Sequence, residues 1–261
     1  MRKLSLFMTV LVLGLVGLVG SAAAQVNTEK LRSKKRLEGV HGFFEGAVTW
    51  QTGNTELLAA GVGARIEYNY KVHHPFLQGS YLLGQKDDEK YLHNGFVHAR
   101  WPAMWHPRVG SEVFTQLQFD EFKLLNLRYL AGAGVRVAAL LHKIVTVHIG
   151  TGYMFEYEKL DIEETVPPDP HPNETRHHRW TSYVSLRVDI SKWVKLTNIA
   201  YVQPRFDRFS DVRFLEDLSL VVTIYKKLKL VTSFVLEYDS DPPRTVEKLD
   251  TLLLTKLRFA F

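Results

Sequence analysis

The sequence predicts an all-β protein, a 12-stranded antiparallel transmembrane β-barrel of the bacterial outer membrane. Three observations predict it. The chain ends in a strand that alternates strictly and closes on an aromatic, it begins with an export signal, and between the two it repeats strand and turn without helical period. In the last stretch, residues 249–261 (LDTLLLTKLRFAF), every second residue from the end is uncharged: Phe261, Phe259, Leu257, Thr255, Leu253, Thr251, Leu249. The residues between them carry Arg258, Lys256 and Asp250. Period two gives a strand with two unlike faces. A helix would bring Lys256 and Phe259 onto one face beside Leu252. A soluble sandwich strand is the alternative, but soluble termini tend to fray, whereas a barrel strand of about ten residues is apolar outward and polar inward.

At the other end Arg2 and Lys3 precede an apolar run over 4–19 and the small residues Ser21, Ala22, Ala23 and Ala24. This is the pattern of a signal peptide over 1–24, cleaved before Gln25. A retained anchor is the competing reading, and the small residues favour cleavage. No cysteine follows the site, and the chain contains none, which removes a lipoprotein anchor, disulfides and thiol catalysis together. After Gln25 nothing approaches the roughly 18 unbroken apolar residues of a membrane helix.

The formal charge is +5. Arg2 and Lys3 supply two of these charges and segment 25–38 a net three, so residues 39–261 are balanced. Nucleic acid is thereby an unexpected partner, since it needs basic residues clustered on the folded part. Residues 25–41 read as a basic periplasmic tail, able to touch anionic headgroups. The barrel occupies 42–261.

The strands are expected at 42–51, 56–70, 75–85, 91–101, 108–119, 126–139, 144–158, 178–190, 194–205, 212–225, 228–239 and 248–261. The first two show the pattern. Phe44, Gly46, Val48 and Trp50 alternate with Glu45, Ala47, Thr49 and Gln51; after a turn at 52–55, Leu58, Val62, Ile66 and Tyr68 alternate with Gly61, Gly63, Arg65 and Glu67. Gly and Asn in the turn tolerate positive φ. Connections are short on the side of the termini and mostly longer and more charged on the other, as periplasmic turns and extracellular loops are. Tyr68, Tyr70, Trp101, Trp105, Trp193 and Tyr225 fall at one set of strand ends, and Trp50, Tyr81, Tyr157, Trp180 and Tyr238 at the other. These are the two aromatic belts of a membrane crossing. A lipocalin-like barrel would have about eight strands and an apolar interior.

The inward set is expected to hold Glu45, Arg65, Glu67, His98, Arg100, Glu112, Arg128, Arg136, His148, Glu156, Arg187, Asp189, Lys195, Arg205, Arg213, Asp217, Lys229, Glu237, Lys256 and Arg258. A mixed-sign lumen is either a lattice of ion pairs that fills the bore or an aqueous channel with ion preference. Catalytic, cofactor and metal sites are expected to be absent. His93, His98 and His148 have no adjacent serine in the sequence, so a lipid-modifying hydrolase is the third function class. His171, His177 and His178 with Asp169 and Glu174 could bind a metal, but the four prolines of 161–179 describe a solvated loop. The sequon at Asn173 is meaningless in a bacterium without the matching machinery.

Gly53-Asn54-Thr55 in the first turn, Phe114, Gln116, Gln118, Asp120 and Phe122 followed by Leu127-Arg128 and Gly132-x-Gly134, and Gly150-x-Gly152-Tyr153 with Glu156 resemble the salt-induced outer membrane protein family over residues 42–261. The resemblance implies a Gram-negative outer-membrane barrel with no catalytic residues or cofactor to carry over. Loop 159–177 departs from the family's short connection. The expected role is therefore in the envelope under osmotic or salt stress, with a narrow ion-paired lumen and no catalysis. A narrow solute channel or a lipid-modifying enzyme are the alternatives. Expected partners are outer-membrane lipid, lipopolysaccharide and the barrel-assembly machinery, with a monomer as default. Phe261, Phe259 and Leu257 are read as the assembly signal, because the machinery must recognise an unfolded barrel at its free end.

Overall fold

The computed structural model describes residues 38–53 and 56–261. The expected signal peptide, the expected tail up to residue 37 and the turn residues Asn54 and Thr55 lie outside the described residues. Twelve strands follow one another: β1 (Gly39–Gln51), β2 (Leu57–Asn69), β3 (Phe76–Lys86), β4 (Glu89–His106), β5 (Val109–Asp120), β6 (Leu125–Leu141), β7 (Val145–Leu160), β8 (Glu174–Asp189), β9 (Val194–Pro204), β10 (Val212–Tyr225), β11 (Leu228–Asp239) and β12 (Leu249–Ala260). Each is antiparallel to its neighbour and β1 returns to β12, so the sheet closes. Closure leaves no free edge, which is the condition for a sheet to stand in hydrocarbon.

The wall is apolar outside. Phe44, Val48, Val62, Leu77, Val97, Val113, Val135, Ile149, Val184, Leu253 and Phe259 are all exposed, while Arg65, Arg100, Glu112, Arg128, Arg136, Glu156 and Arg258 are buried. A soluble barrel has the opposite polarity. Tyr68, Tyr70, Trp101, Trp105, Trp193 and Tyr225 are exposed around the rim that carries the termini.

The strand boundaries differ most from the sequence expectation at three places. β1 starts at Gly39 and not at 42. β4 runs past Pro102 to His106; the proline is tolerated because β4 here has β5 on one side and, on the other, only the 70–75 turn, where His74 N–H donates to the Pro102 carbonyl at 2.9 Å. β7 and β8 pair out to Lys159 and Glu174, so the expected loop 159–177 shrinks to 161–173.

Inward glycines make room for rings. A Cβ on Gly150 would lie 2.7 Å from Tyr183 Oη and closer still to its ring carbons, and a Cβ on Gly132 would lie 2.7 Å from Phe114 Cε1. Outward Gly46 has only the Gly61 carbonyl nearby, at 3.6 Å. Gly150→Val is expected to evict Tyr183 and destabilise the barrel by about 1–3 kcal/mol through overpacking. Gly46→Val should stay within about 0.5 kcal/mol. Urea unfolding in detergent micelles compares the two, and equal midpoints would mean that Tyr183 does not need its niche.

Candidate functional site

The lumen has three levels. At the rim away from the termini, two carboxylates of β7 organise three arginines. Glu156, 1% exposed, accepts from Arg179 Nε at 2.9 Å and from Arg213 Nη1, and Arg128 Nε lies at 4.0 Å. Glu158 pairs with Arg128 and with Arg213, the latter at 2.9 Å. Arg213 also reaches Asp239 at 2.9 Å, and Arg179 and Arg205 each reach Asp211 at 2.9 Å. From the far side, Lys123 Nζ crosses to Glu237 at 2.6 Å and Asp250 at 2.9 Å. Lys123 stands between β5 and β6, and its partners lie on β11 and β12, the opposite wall, so this pair spans the bore. Above the network lies a cavity of about 400 Å³, lined by Arg205, Arg208, Asp241, His177 and loop prolines among others.

The middle level is packed. Tyr183, Ile199, Tyr201 and Leu215 form an apolar cluster with Val235 against it. The Arg100 guanidinium sits 5.2 Å from the Phe114 ring and 5.8 Å from the Tyr183 ring. Glu112 lies 3.5 Å from Arg100, and Arg136 donates to Tyr183 Oη at 3.4 Å. Phe76, His98 and Phe114 stack in series.

The level near the termini has excess cations. Glu45 takes Lys256 at 2.6 Å and Arg258 at 2.5 Å. Arg65 pairs with Glu67 at 3.1 Å and covers the Phe76 ring at 3.6 Å; Arg187 pairs with Asp189 at 2.9 Å. Lys195 faces Asp189 across the ladder and Lys229 faces Arg258, and among the described residues neither lysine has an ion pair at salt-bridge distance.

Two long loops meet over the far rim. Asp169, in loop 161–173, accepts the His171 N–H at 2.9 Å and the Arg244 N–H, from loop 240–248, at 2.5 Å. Burial alone would raise the Asp169 carboxyl, but these N–H groups and the His171 ring hold it below the usual aspartate range. The latch is therefore complete above about pH 4 and lost only as pH falls through the depressed value. At neutral pH, Asp169→Ala should free loop 240–248 and speed tryptic cleavage after Arg244, while the parent protein should stay resistant. Equal cleavage of both would show that the loops are not latched. Further along the rim, Arg205 holds the exposed Asp207 carboxyl down to about 2.

The other histidines do not converge. His177 points into the cavity, whereas His178 faces outward and meets Tyr153 Oη at 2.5 Å, because consecutive strand residues face opposite sides. His171 is held by Asp169 at 2.6 Å. His93 lies on the outer surface against Glu121 at 2.5 Å, and His98 is buried against Gln116 at 3.0 Å. Among the described residues no His, Cys, Asp and Glu group has a metal-binding arrangement.

Sequence reasoning missed Lys123, Glu158, Arg179, Asp211 and Asp239, the centre of the far network. Three could have been found. Glu158 follows Glu156 by two, Asp239 follows Glu237 by two, and Arg179 precedes Arg187 by eight, so all three continue inward registers already visible.

Over residues 45–261 the sequence matches the family described as "Protein of unknown function, DUF481". The chain belongs to this family. The matched stretch takes in eleven whole strands and most of β1, hence every ion pair named above. No curated protein matches the chain. Similar solved structures include a NanC porin (10% identity, TM-score 0.45, 84% of this chain and 97% of that one) and a KdgM porin (8%, 0.44, 85% and 99%). The translocator domain of the autotransporter NalP from Neisseria meningitidis is similar too (8%, 0.46, 87% and 90%). Likeness of this degree says nothing of activity.

Proposed function

We propose that this family member is an outer-membrane β-barrel, exported through a cleaved signal peptide, whose lumen is filled and which supports the envelope under osmotic or salt stress without catalysing a reaction. The observation that carries the filled lumen is the burial of its middle: Met154, Ile199 and Leu215 are 1% exposed and Val231 is 0% exposed. Inward side chains that water cannot reach leave no continuous aqueous path beside them. The closed wall with its apolar outside and aromatic rims supports the membrane location; the stress role rests on the sequence resemblance.

A narrow channel is the second reading, favoured by Lys195 and Lys229. Two lysines without ion pairs at one end of a bore would attract anions if the middle opened. Proteoliposomes diluted into isotonic sugar test the pair of readings. The filled barrel should swell no faster than protein-free vesicles, and swelling at a rate set by solute size would overturn it. Cell fractionation and amino-terminal sequencing test location; recovery in the inner membrane, or a mature chain beginning at Met1, would overturn that half.

A further inference from the structure

The rim that carries the termini is basic throughout. Its five turns (70–75, 107–108, 142–144, 190–193, 226–227) hold Lys71, Arg108, Lys143, Lys192, Lys226 and Lys227, and no Asp or Glu. The connections of the opposite rim hold twelve Asp or Glu against five Lys or Arg. Lys71, Lys192 and Lys226 stand over the rings of their sequence neighbours Tyr70, Trp193 and Tyr225, at 5.0, 5.1 and 5.0 Å. Such pairs suit the headgroup level, where the ring lies against chains and the ammonium reaches phosphate.

Beside Lys71 and Arg108 the outer wall is also concave. A groove of about 620 Å³ crosses β1 to β5, lined by Val40, Ile66, Leu77, Ala99, Trp101 and Val113 among others. Its floor is low at Ala99, which sits between the larger Leu77 and Thr115 in the ladder. Its lip is the most aromatic part of the rim: Tyr68 stacks on Tyr70 at 6.3 Å, and His73 stands between Trp101 at 5.7 Å and Trp105 at 5.9 Å. Lys71 is in the turn at one side of the groove and Arg108 in the turn at the other. Neither has an ion pair among the described residues.

The geometry points to a binding site for an acidic phospholipid of the leaflet on the termini side, with an acyl chain along Leu77, Ala99 and Val113 and the phosphate between Lys71 and Arg108. The largely apolar lining asks for hydrocarbon, and two flanking cations ask for net negative charge, since the lining's one carboxylate, Glu67, is already paired with Arg65 at 3.1 Å. A zwitterionic lipid would bring its ammonium into the same basic field. A second copy seated on this face about a twofold axis would set Lys71 and Arg108 against themselves.

The site presupposes the membrane barrel proposed above, and the two can fail separately. The full mature chain is reconstituted in nanodiscs of equimolar phosphatidylglycerol and phosphatidylethanolamine, and lipid retained after detergent extraction is identified by native mass spectrometry. Heat-dependent gel mobility of the same sample reads the barrel itself. Retained phosphatidylglycerol should exceed phosphatidylethanolamine, and Lys71→Gln and Arg108→Gln should each lower that ratio about fivefold. Ala99→Phe, which fills the groove from outside, should reduce retention of both lipids with gel mobility unchanged. Retained lipid of bulk composition that neither kind of variant alters would overturn the site while leaving the barrel standing. A dimer that Ala99→Phe abolishes, with lipid unaffected, would overturn it in favour of a second copy. Loss of heat-dependent mobility in the parent protein would overturn the barrel and the site together.

Discussion

Glu156→Ala is expected to destabilise the barrel by about 3–5 kcal/mol, the cost of breaking a buried ion pair from one side. Glu156 takes Arg179 and Arg213 directly and has Arg128 at 4.0 Å. Without it these guanidinium groups share Glu158, Asp211 and Asp239, and water cannot reach Arg179, which is 1% exposed. Chemical denaturation in micelles measures the loss. The penalty is for uncompensated charge and not for the pair as such, so Glu156→Leu combined with Arg179→Met should recover much of it. Lys256→Gln should cost about 1 kcal/mol or less, because Glu45 keeps Arg258 at 2.5 Å and Lys256 is partly solvated. If Glu156→Ala costs no more than Lys256→Gln, the far network is solvated and the lumen is wetter than its packing implies.

Deleting Phe261 is expected to impair assembly in cells far more than refolding in detergent. The β1–β12 seam is the shortest in the barrel, with four register pairs against eight to fifteen between other neighbours. Phe261 extends it. Its N–H donates to the Gly42 carbonyl at 2.9 Å, its own carbonyl accepts from Gly42 at 3.2 Å, and its ring stacks on Phe44 at 5.4 Å. A Cβ at Gly42 would come within 2.5 Å of that ring, so the glycine is part of the fit. The ring contributes about 2 kcal/mol by burial and about 1 kcal/mol by stacking, enough to slow closure in detergent without preventing it. On the proposal that Phe261, Phe259 and Leu257 form the signal that the assembly machinery reads, the loss in cells should be larger. Pulse–chase accumulation of unfolded protein, set beside refolding yield in micelles, separates the two. Equal losses would reduce Phe261 to a packing residue, and normal insertion of the deletion would remove the address altogether.

Much of the fold was legible because an apolar outer face and a charged, ion-paired inner face impose period two on most strands, and β12 carries it with little interruption. Strand ends were less legible. Toward the rim the outward face need not be apolar, so the exposed Arg176 and its polar neighbours made 174–177 look like loop although it pairs with β7. Pro102 hid the end of β4 because a proline argues against a strand unless one flank holds no neighbouring strand, and here that flank is the 70–75 turn. The inward charges on the strands could be read from alternation, but their partners could not. Arg213 meets Glu156 fifty-seven residues away because β7 and β10 curve toward each other across the bore. The filling of the lumen was the least legible feature. Ile199, Leu215 and Val231 are apolar residues at inward positions, and in sequence they look like errors in the alternation and not like a plug.

Single-channel recording in a planar bilayer tests the filled lumen most directly. The parent protein is compared with Tyr183→Ala combined with Leu215→Ala, which removes two side chains of the middle cluster and leaves the ion pairs in place. Parent barrels should insert without resolvable current steps, and the double variant should give steps that favour anions, because Lys195 and Lys229 then border an open path. Regular steps from the parent protein, of the same size as those of the variant, would contradict the account.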